Sequence, residues 1–495
     1  MTEAGEGMAE ADVTRTRVVI VGAGFGGIGL GIRLKDAGVD DFIILEKSNS
    51  VGGVWRENRY PGAACDVPSH LYSFSFAPRA DWPDRFARQA DILAYLKDCA
   101  RSHGLEPHIR FGAEVSEAHW DEASARWRVR TRDGHLFETQ ALVSATGQLC
   151  RPSIPRLPGL DRFAGAAFHS AEWPENLDLR GKRVAVIGTG ASAIQIVPEA
   201  AADVARLYLF QRSAAYVVPK RDRKYPQWQL NLYRRHPWLL RLSRLRMYIQ
   251  HESRAFAFVT WRAAMRFKRM AFLRNLRRGV KDPDLRERLT PDYRMGCKRI
   301  LLSNDFYPAM ARPNVELVTD SIAEIRPDRI VTADGTERKA DCIVFATGFA
   351  ATDFLAPIRV IGRCGQDLHQ AWRDGAEAHL GMTVAGFPNF FMLYGPNTNL
   401  AHNSIVYMIE SEIRYVIACI RRLACDEVRM IEVKPDVQRR YNASIRKRLE
   451  KSNWSKGCTS WYLTAAGRNV ANWPGYSLEF YWRTRAPDWN DYAVQ

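Results

Sequence analysis

Residues 17–27 read Arg17-Val-Val-Ile-Val-Gly22-Ala-Gly24-Phe-Gly-Gly27, an apolar β-branched run that breaks into a Gly-x-Gly-x-x-Gly turn. The run predicts a strand, and the residues after it, up to Gly38, carry apolar side chains at helical spacing. A second strand, Phe42-Ile-Ile-Leu-Glu46, comes next. Strand, glycine turn, helix and a strand ending in an acid form the dinucleotide-binding plan. In that plan Gly22 permits the tight turn, Gly24 lets the backbone approach a pyrophosphate, and Gly27 lets the helix pack close to its strand. The helix N-terminus aims amide hydrogens at the phosphates. Glu46 stands where a carboxylate accepts hydrogen bonds from ribose hydroxyls.

The plan recurs. Residues 183–187, Arg-Val-Ala-Val-Ile, lead into Gly188-Thr189-Gly190-Ala-Ser192-Ala193, a helix, and the strand Arg-Leu-Tyr-Leu-Phe at 206–210. Ala193 replaces the third glycine. Arg212 lies 24 residues after Gly188, the offset at which Glu46 follows Gly22. A carboxylate there repels a 2′-phosphate and a guanidinium pairs with it. The first site therefore suits a nucleotide with a free ribose hydroxyl. The second suits NADPH, with Ser213 and Lys298 also available to the phosphate. Asp133-Gly134 and Asp334-Gly335 are hairpin turn signals, and each precedes a strand ending in Ala-Thr-Gly, with 13 residues from Gly134 to Gly147 and again from Gly335 to Gly348. The second hairpin is expected to pair Arg-Ile-Val-Thr-Ala (329–333) with the Cys342 strand. An α/β fold with two Rossmann-like dinucleotide-binding domains is the simplest account, one taking FAD and the other a nicotinamide.

Length agrees, since 495 residues exceed one ordinary core. With 46% hydrophobic and 25% charged residues, wholesale disorder, collagen and coiled-coil rods are excluded. No run approaches the ~18 apolar residues of a spanning helix. The expected division is a disordered, acidic tail over 1–14, an FAD domain from 15–150 and 351–495, a proline-rich linker at 151–162, and an NADP domain over 163–350. Nine cysteines include no Cys-x-x-Cys pair, which gives no sign of disulfides or dithiol redox chemistry and fits a reducing cytoplasm. No histidine or cysteine spacing suggests a metal. The net charge of +16 is concentrated: residues 231–280 hold 13 Lys/Arg and one acid, Glu252. Apolar residues at helical spacing run through this window, so a helical insertion over about 225–290 is expected within the second domain. Three readings stand for it: a solvated arginine face, contact with an anionic membrane surface, or a lid on a substrate channel. No base-reading motif accompanies the charge, so nucleic acid is not a partner.

Four further stretches bear on chemistry: Gly52-Gly53-Val54-Trp55, Tyr60 to Phe74 with Asp66 and Tyr72, Phe163-x-Gly165-x-x-x-His169-x-x-x-Trp173-Pro174, and Gly296-Cys297-Lys298-Arg299. With these the chain resembles the type I Baeyer–Villiger monooxygenases, flavoproteins that insert oxygen beside a ketone carbonyl. The likeness spans residues 15–490 and is weakest in the insertion and near the C-terminus. It implies FAD and NADPH as cofactors, and a ketone and O₂ as substrates. It implies a flavin peroxide that must stay deprotonated to attack a carbonyl. A buried anion needs a fixed cation, and arginine does not lose its proton. Arg299 is the catalytic candidate, and the resemblance gives Asp66 as the carboxylate that holds it. Lys298, pointing the other way on an extended chain, is free to reach the 2′-phosphate. In that family the histidine at position 169 belongs to a hinge linker that couples domain movement to catalysis and need not touch substrate, with direct chemistry the alternative. Trp55 and Tyr72 are expected beside the flavin, and Val115 against the adenine, with ordinary core packing the alternative for each. Pocket walls are expected from the helical insertion and from Asn453–Tyr462. Two rivals share parts of this pattern: S- or N-oxygenation on the same scaffold, and a flavin or disulfide reductase, which the missing cysteine pair disfavours. A membrane-peripheral binding protein is a third. Neither the ketone nor the oligomeric state is legible.

Overall fold

In the computed structural model, β1 (Val13–Val21) runs parallel to β2 (Phe42–Glu46), with α1 (Phe25–Asp36) between them in sequence. The structure describes residues 13–256, 265–425, 427–455, 457, 458 and 460–495. β1 starts earlier than its apolar run. Val13 pairs with Leu136 and Thr14 with Phe137, so these two residues belong to the sheet and not to the expected tail. A neighbouring strand supplies their backbone partners, which composition does not reveal. Residues 1–12 of that tail lie outside the described residues. Val18 and Ile20 enter one buried layer, Val19 and Val21 the other. A parallel strand covered on both faces reads as a continuous apolar run.

The chain continues through α2 (Val54–Glu57), α3 (Gln89–Ser102), β3 (Ile109–Phe111), β4 (Val115–Asp121), β5 (Arg126–Thr131) and β6 (Leu136–Ser144). Asp133-Gly134 turns β5 into β6, as expected. β6 is nine residues long. Its first half completes the antiparallel ladder with β5, and the whole strand runs parallel to β1.

The second unit has β7 (Ala166–His169), β8 (Arg183–Ile187), α4 (Ala193–Ala200), β9 (Arg206–Phe210) and β10 (Val217–Val218). Among the described residues four helices follow: α5 (Gln227–Arg235), α6 (Pro237–Ala255), α7 (Met265–Gly279) and α8 (Pro283–Arg288). Then come β11 (Leu301–Leu302), β12 (Val315–Val318), β13 (Ile322–Arg326), β14 (Arg329–Thr332), β15 (Glu337–Lys339) and β16 (Cys342–Phe345). The sheet order is β12-β9-β8-β16-β7, parallel throughout. The helical window therefore lies between β10 and β11, although residues 257–264 are outside the described residues.

Here the two halves differ from the expected repeat. Asp334-Gly335 turns β14 into β15, and β16 pairs with β7 and β8 instead. The single strand β6 of the first half is split in the second at Ala340-Asp341. Asp341 accounts for the break. Its carboxylate accepts from the Arg183 backbone at 2.8 Å and from the Arg183 guanidinium at 3.0 and 2.5 Å, anchoring the start of β16 beside β8.

After β16 the chain returns to the first sheet. β17 (Arg359–Ile361) joins β4, and β18 (Phe390–Met392) joins β6. The helix Ile405–Leu423 then packs against α1 in the core beneath that sheet.

Candidate active site

Both glycine turns open into one cavity of about 1430 Å³. Gly22, Gly24, Glu46, Gly53, Val54, Trp55, Asp66, Tyr72 and Val115 line it from the first half. Gly188, Thr189, Gly190, Ser192, Arg212, Ser213, Lys298 and Arg299 line it from the second. Gly27 and Ala193 stand behind the wall. A Cβ on Gly27 would lie 1.9 Å from the Gly22 carbonyl oxygen, so only glycine lets α1 pack this close. Gly22 itself has φ of +106°, in the region that glycine alone adopts without strain.

On the first side, Glu46 is buried. Its two oxygens accept the Ala23 backbone N–H at 2.8 Å and the Ser48 N–H at 3.0 Å. A carboxylate has about four acceptor positions, so capacity remains for a ribose. Trp55 Nε1 donates to the Tyr72 hydroxyl at 3.2 Å. The Tyr72 ring meets Phe25 edge-on with centroids 5.1 Å apart. Val115 is the first residue of β4 and is buried at the cavity wall. These groups fit an adenine dinucleotide with a flat aromatic head.

On the second side the chain gathers cations. Lys298 Nζ donates to Ser213 Oγ at 2.9 Å, and Thr189 Oγ1 to the Ser213 carbonyl at 2.8 Å. Burial, then the nearby Arg212, lowers the Lys298 ammonium below its ordinary value. Two positive side chains crowd a site that an anion such as a 2′-phosphate would relieve.

Between the two, Arg299 Nη2 donates to Asp66 Oδ2 at 2.5 Å. The Asp66 charge raises the guanidinium above its ordinary value, outweighing burial. Lys298 and Arg299 reach to different partners, as neighbours on an extended chain do. Tyr394 and Tyr462 also line the cavity. Burial pushes the Tyr462 phenol up to about 12, the positive charge of Arg299 opposing it, so the hydroxyl keeps its proton.

The Phe163–Pro174 segment lies outside the cavity. His169 is fully buried, and its Nε2 meets the Gly348 carbonyl at 2.9 Å while Nδ1 accepts the Ala171 N–H at 3.2 Å. Those contacts define a neutral imidazole, and burial lowers its ordinary value further. The Trp173 carbonyl accepts from Arg59 Nε at 3.0 Å, and Trp173 meets Phe168 edge-on at 5.2 Å. Phe163, half-buried, packs against the core behind the second sheet. A Cβ on Gly165 would lie 2.4 Å from the Asp341 carbonyl oxygen. The segment thus joins the Gly348 turn to the residues after α2.

Sequence reasoning missed several wall residues. Tyr60 donates to Gln195 Oε1 at 3.0 Å, and Gln195 Nε2 to the Ala64 carbonyl at 2.9 Å. This pins the Asp66 segment onto α4, and no motif announces it. Trp461 and Tyr462 do come from the expected C-terminal wall. The helical window does not: among the described residues, none from Tyr216 to Asp292 lines the cavity. Among the described residues, α6 packs on the His70–Ser73 segment. The cysteines need a second correction. Cys297 and Cys458 form a disulfide across 161 residues, a pairing that spacing cannot show. It ties the Arg299 segment to the loop carrying Trp461 and Tyr462.

A family model described as flavin-binding monooxygenase-like matches residues 15–358. A Baeyer–Villiger monooxygenase of Streptomyces coelicolor is 47% identical over 480 residues, covering 97% of this chain and 92% of that one. One from Pseudomonas aeruginosa is 45% identical, covering 97% and 91%. The chain belongs to the Baeyer–Villiger monooxygenases, within the flavin-binding monooxygenase-like family. Solved relatives agree. Cyclohexanone monooxygenase from Rhodococcus sp. Phi1 bound to NADP⁺ has a TM-score of 0.88 at 28% identity, covering 98% of this chain and 100% of its own. An oxidized steroid monooxygenase bound to NADP has 0.87 at 32%, covering 97% and 99%. This Baeyer–Villiger monooxygenase uses FAD and NADPH.

Proposed function

We propose that Arg299, oriented by Asp66, is the cation that stabilises negative charge on oxygen as one atom of O₂ enters a ketone to give an ester or lactone. When bound, FAD would supply the activated oxygen and NADPH the two electrons that let the second oxygen atom leave as water. The observation that carries the assignment is the 2.5 Å Arg299–Asp66 contact in the cavity shared by both glycine turns. A guanidinium stays charged throughout, so it stabilises an oxyanion without giving up a proton. Asp66 limits its rotation and balances its charge at rest. Tyr462 and Tyr394 stay protonated and close the wall around it.

We assign the FAD side to Gly22, Gly24, Gly27, Glu46, Gly53, Val54, Trp55, Asp66, Tyr72 and Val115. The NADP side takes Gly188, Thr189, Gly190, Ser192, Ala193, Arg212, Ser213 and Lys298. What supports the division is the placement of each set around its own turn and the pairing of β17 and β18 with the first sheet. His169 and Trp173 are assigned to the hinge. The substrate is read as an apolar ketone, since Leu393, Leu400, Ile405 and Trp461 share the wall with Arg299. A cytoplasmic location is inferred from the seven free cysteines, with the Cys297–Cys458 bridge as the exception.

The test is NADPH oxidation across a panel of linear, cyclic and aryl ketones and one sulfide, with mass detection of products one oxygen heavier. Ester or lactone from a ketone supports the reading. Sulfoxide with no ester would favour the heteroatom-oxygenating alternative.

A further inference from the structure

α6 leaves a row of large apolar side chains in solvent. Its protein-facing side buries Leu240 and Ala255 and is anchored by polar contacts. Arg244 Nη1 donates to the His70 and Ser73 carbonyls at 2.9 and 2.6 Å, and Ser243 Oγ meets His70 Nδ1 at 3.0 Å. Glu252 accepts from Asn403 at 2.8 Å, Ser477 at 2.6 Å and the Leu478 N–H at 3.0 Å. Its solvent side is apolar, with Trp238 61%, Leu242 53%, Leu245 52% and Ile249 58% exposed. At 100° per residue these four fall within an arc of about 60°, a continuous stripe down the helix. Arg241 and Arg246 flank the stripe on either side, both exposed and with no ion pair among the described residues.

The neighbouring helices extend the pattern. Trp228 and Leu232 of α5 are 67% and 37% exposed, one turn apart, and α5 packs on α6. On α7, Phe267 and Met270 are 67% and 57% exposed among Arg266, Arg274, Arg277 and Arg278. The window's one acid, Glu252, is turned inward. Burial of apolar side chains normally drives a helix to face its core, so such a stripe left in water needs a cover.

We propose that this face docks on an anionic lipid bilayer, the apolar stripe of α6 entering the interface and the flanking arginines meeting lipid phosphates. The charge argues for that occupant. A second copy laid symmetrically on the same face would set arginine against arginine, with no acid to relieve them. A bilayer with anionic headgroups offers apolar depth and negative charge at once. The polar inner face keeps α6 fixed to the enzyme while its outer face is engaged.

The test is co-sedimentation of the FAD-loaded full chain with vesicles of phosphatidylcholine alone or mixed with phosphatidylglycerol, at low and high salt. The wild type is expected to pellet with the mixed vesicles and at least tenfold less with phosphatidylcholine. A Leu245→Ser/Ile249→Ser double variant should lose binding tenfold or more, and Arg241→Gln/Arg246→Gln should lose its dependence on anionic lipid. Both should keep flavin content and NADPH turnover, since neither pair touches the cavity. Three results overturn the proposal: wild type remaining in the supernatant at low salt, double variant binding as well as wild type, or light scattering that finds a dimer dispersed by the Leu245/Ile249 change.

Discussion

Arg299 and Asp66 are 233 residues apart in sequence and 2.5 Å apart in the cavity. Their contact spans the two halves of the chain, so it forms only when both dinucleotide units are assembled. Arg299→Ala should leave reduction of the flavin by NADPH within threefold of wild type. It should cut ester formation by about 10²- to 10³-fold, the usual effect of losing one oxyanion-stabilising donor. Asp66→Asn should fall between the two, because the cation stays but its orientation loosens. Stopped-flow reduction beside product assay separates the steps. Full ester formation by Arg299→Ala would remove the catalytic assignment.

Arg212, Ser213 and Lys298 form the second cluster. Arg212→Ala is expected to raise KM for NADPH tenfold or more, matching roughly 1.5–3 kcal/mol for a charge-assisted hydrogen bond. KM for NADH, which lacks the 2′-phosphate, should change less than threefold. Lys298→Ala should show the same bias more weakly. Steady-state kinetics with both nucleotides checks this, and equal effects on the two would mean the cluster reads something else.

The Cys297–Cys458 bridge closes a loop of 161 residues. Cys297→Ser should lower stability by about 2–4 kcal/mol, seen as an earlier midpoint in urea. Because the bridge ties the Arg299 segment to the wall of Trp461 and Tyr462, KM for the ketone should rise while flavin reduction is unaffected. An unchanged midpoint and KM would show that the tie carries no load.

Glu412 is wholly buried in the helix Ile405–Leu423 and accepts the Tyr394 N–H at 2.7 Å. Burial pushes its carboxyl up to about 8 from the ordinary 4.5. Below 4.5 the group is protonated whether folded or unfolded, and its contribution to stability is fully present. Between 4.5 and 8 the unfolded chain gives up the proton and the folded one keeps it, so stability falls as pH rises. Glu412→Gln cannot ionise. Its melting temperature should therefore gain on wild type from pH 5 to pH 8, measured by calorimetry, and a constant gap would contradict the buried, protonated acid.

The amino-acid sequence by itself determined both nucleotide units. Glycine turns, apolar strands and the residue at the strand end act over a few dozen positions, and their chemistry is local. The exchange of Glu46 for Arg212, which we propose separates one cofactor from the other, is likewise read without tertiary information. The split of the second hairpin at Asp341 was not legible, because it depends on a carboxylate meeting Arg183 across the sheet. Gln195 under Tyr60, and Cys297 with Cys458, were hidden for the same reason: each joins residues more than a hundred positions apart. The arginine-rich window shows the limit most clearly. Its spacing predicts helices, but periodicity says only that an apolar stripe exists, not which way it faces. The tertiary structure turned that stripe in α6 away from the cavity, because Arg244 and Glu252 found their hydrogen-bond partners on the protein side.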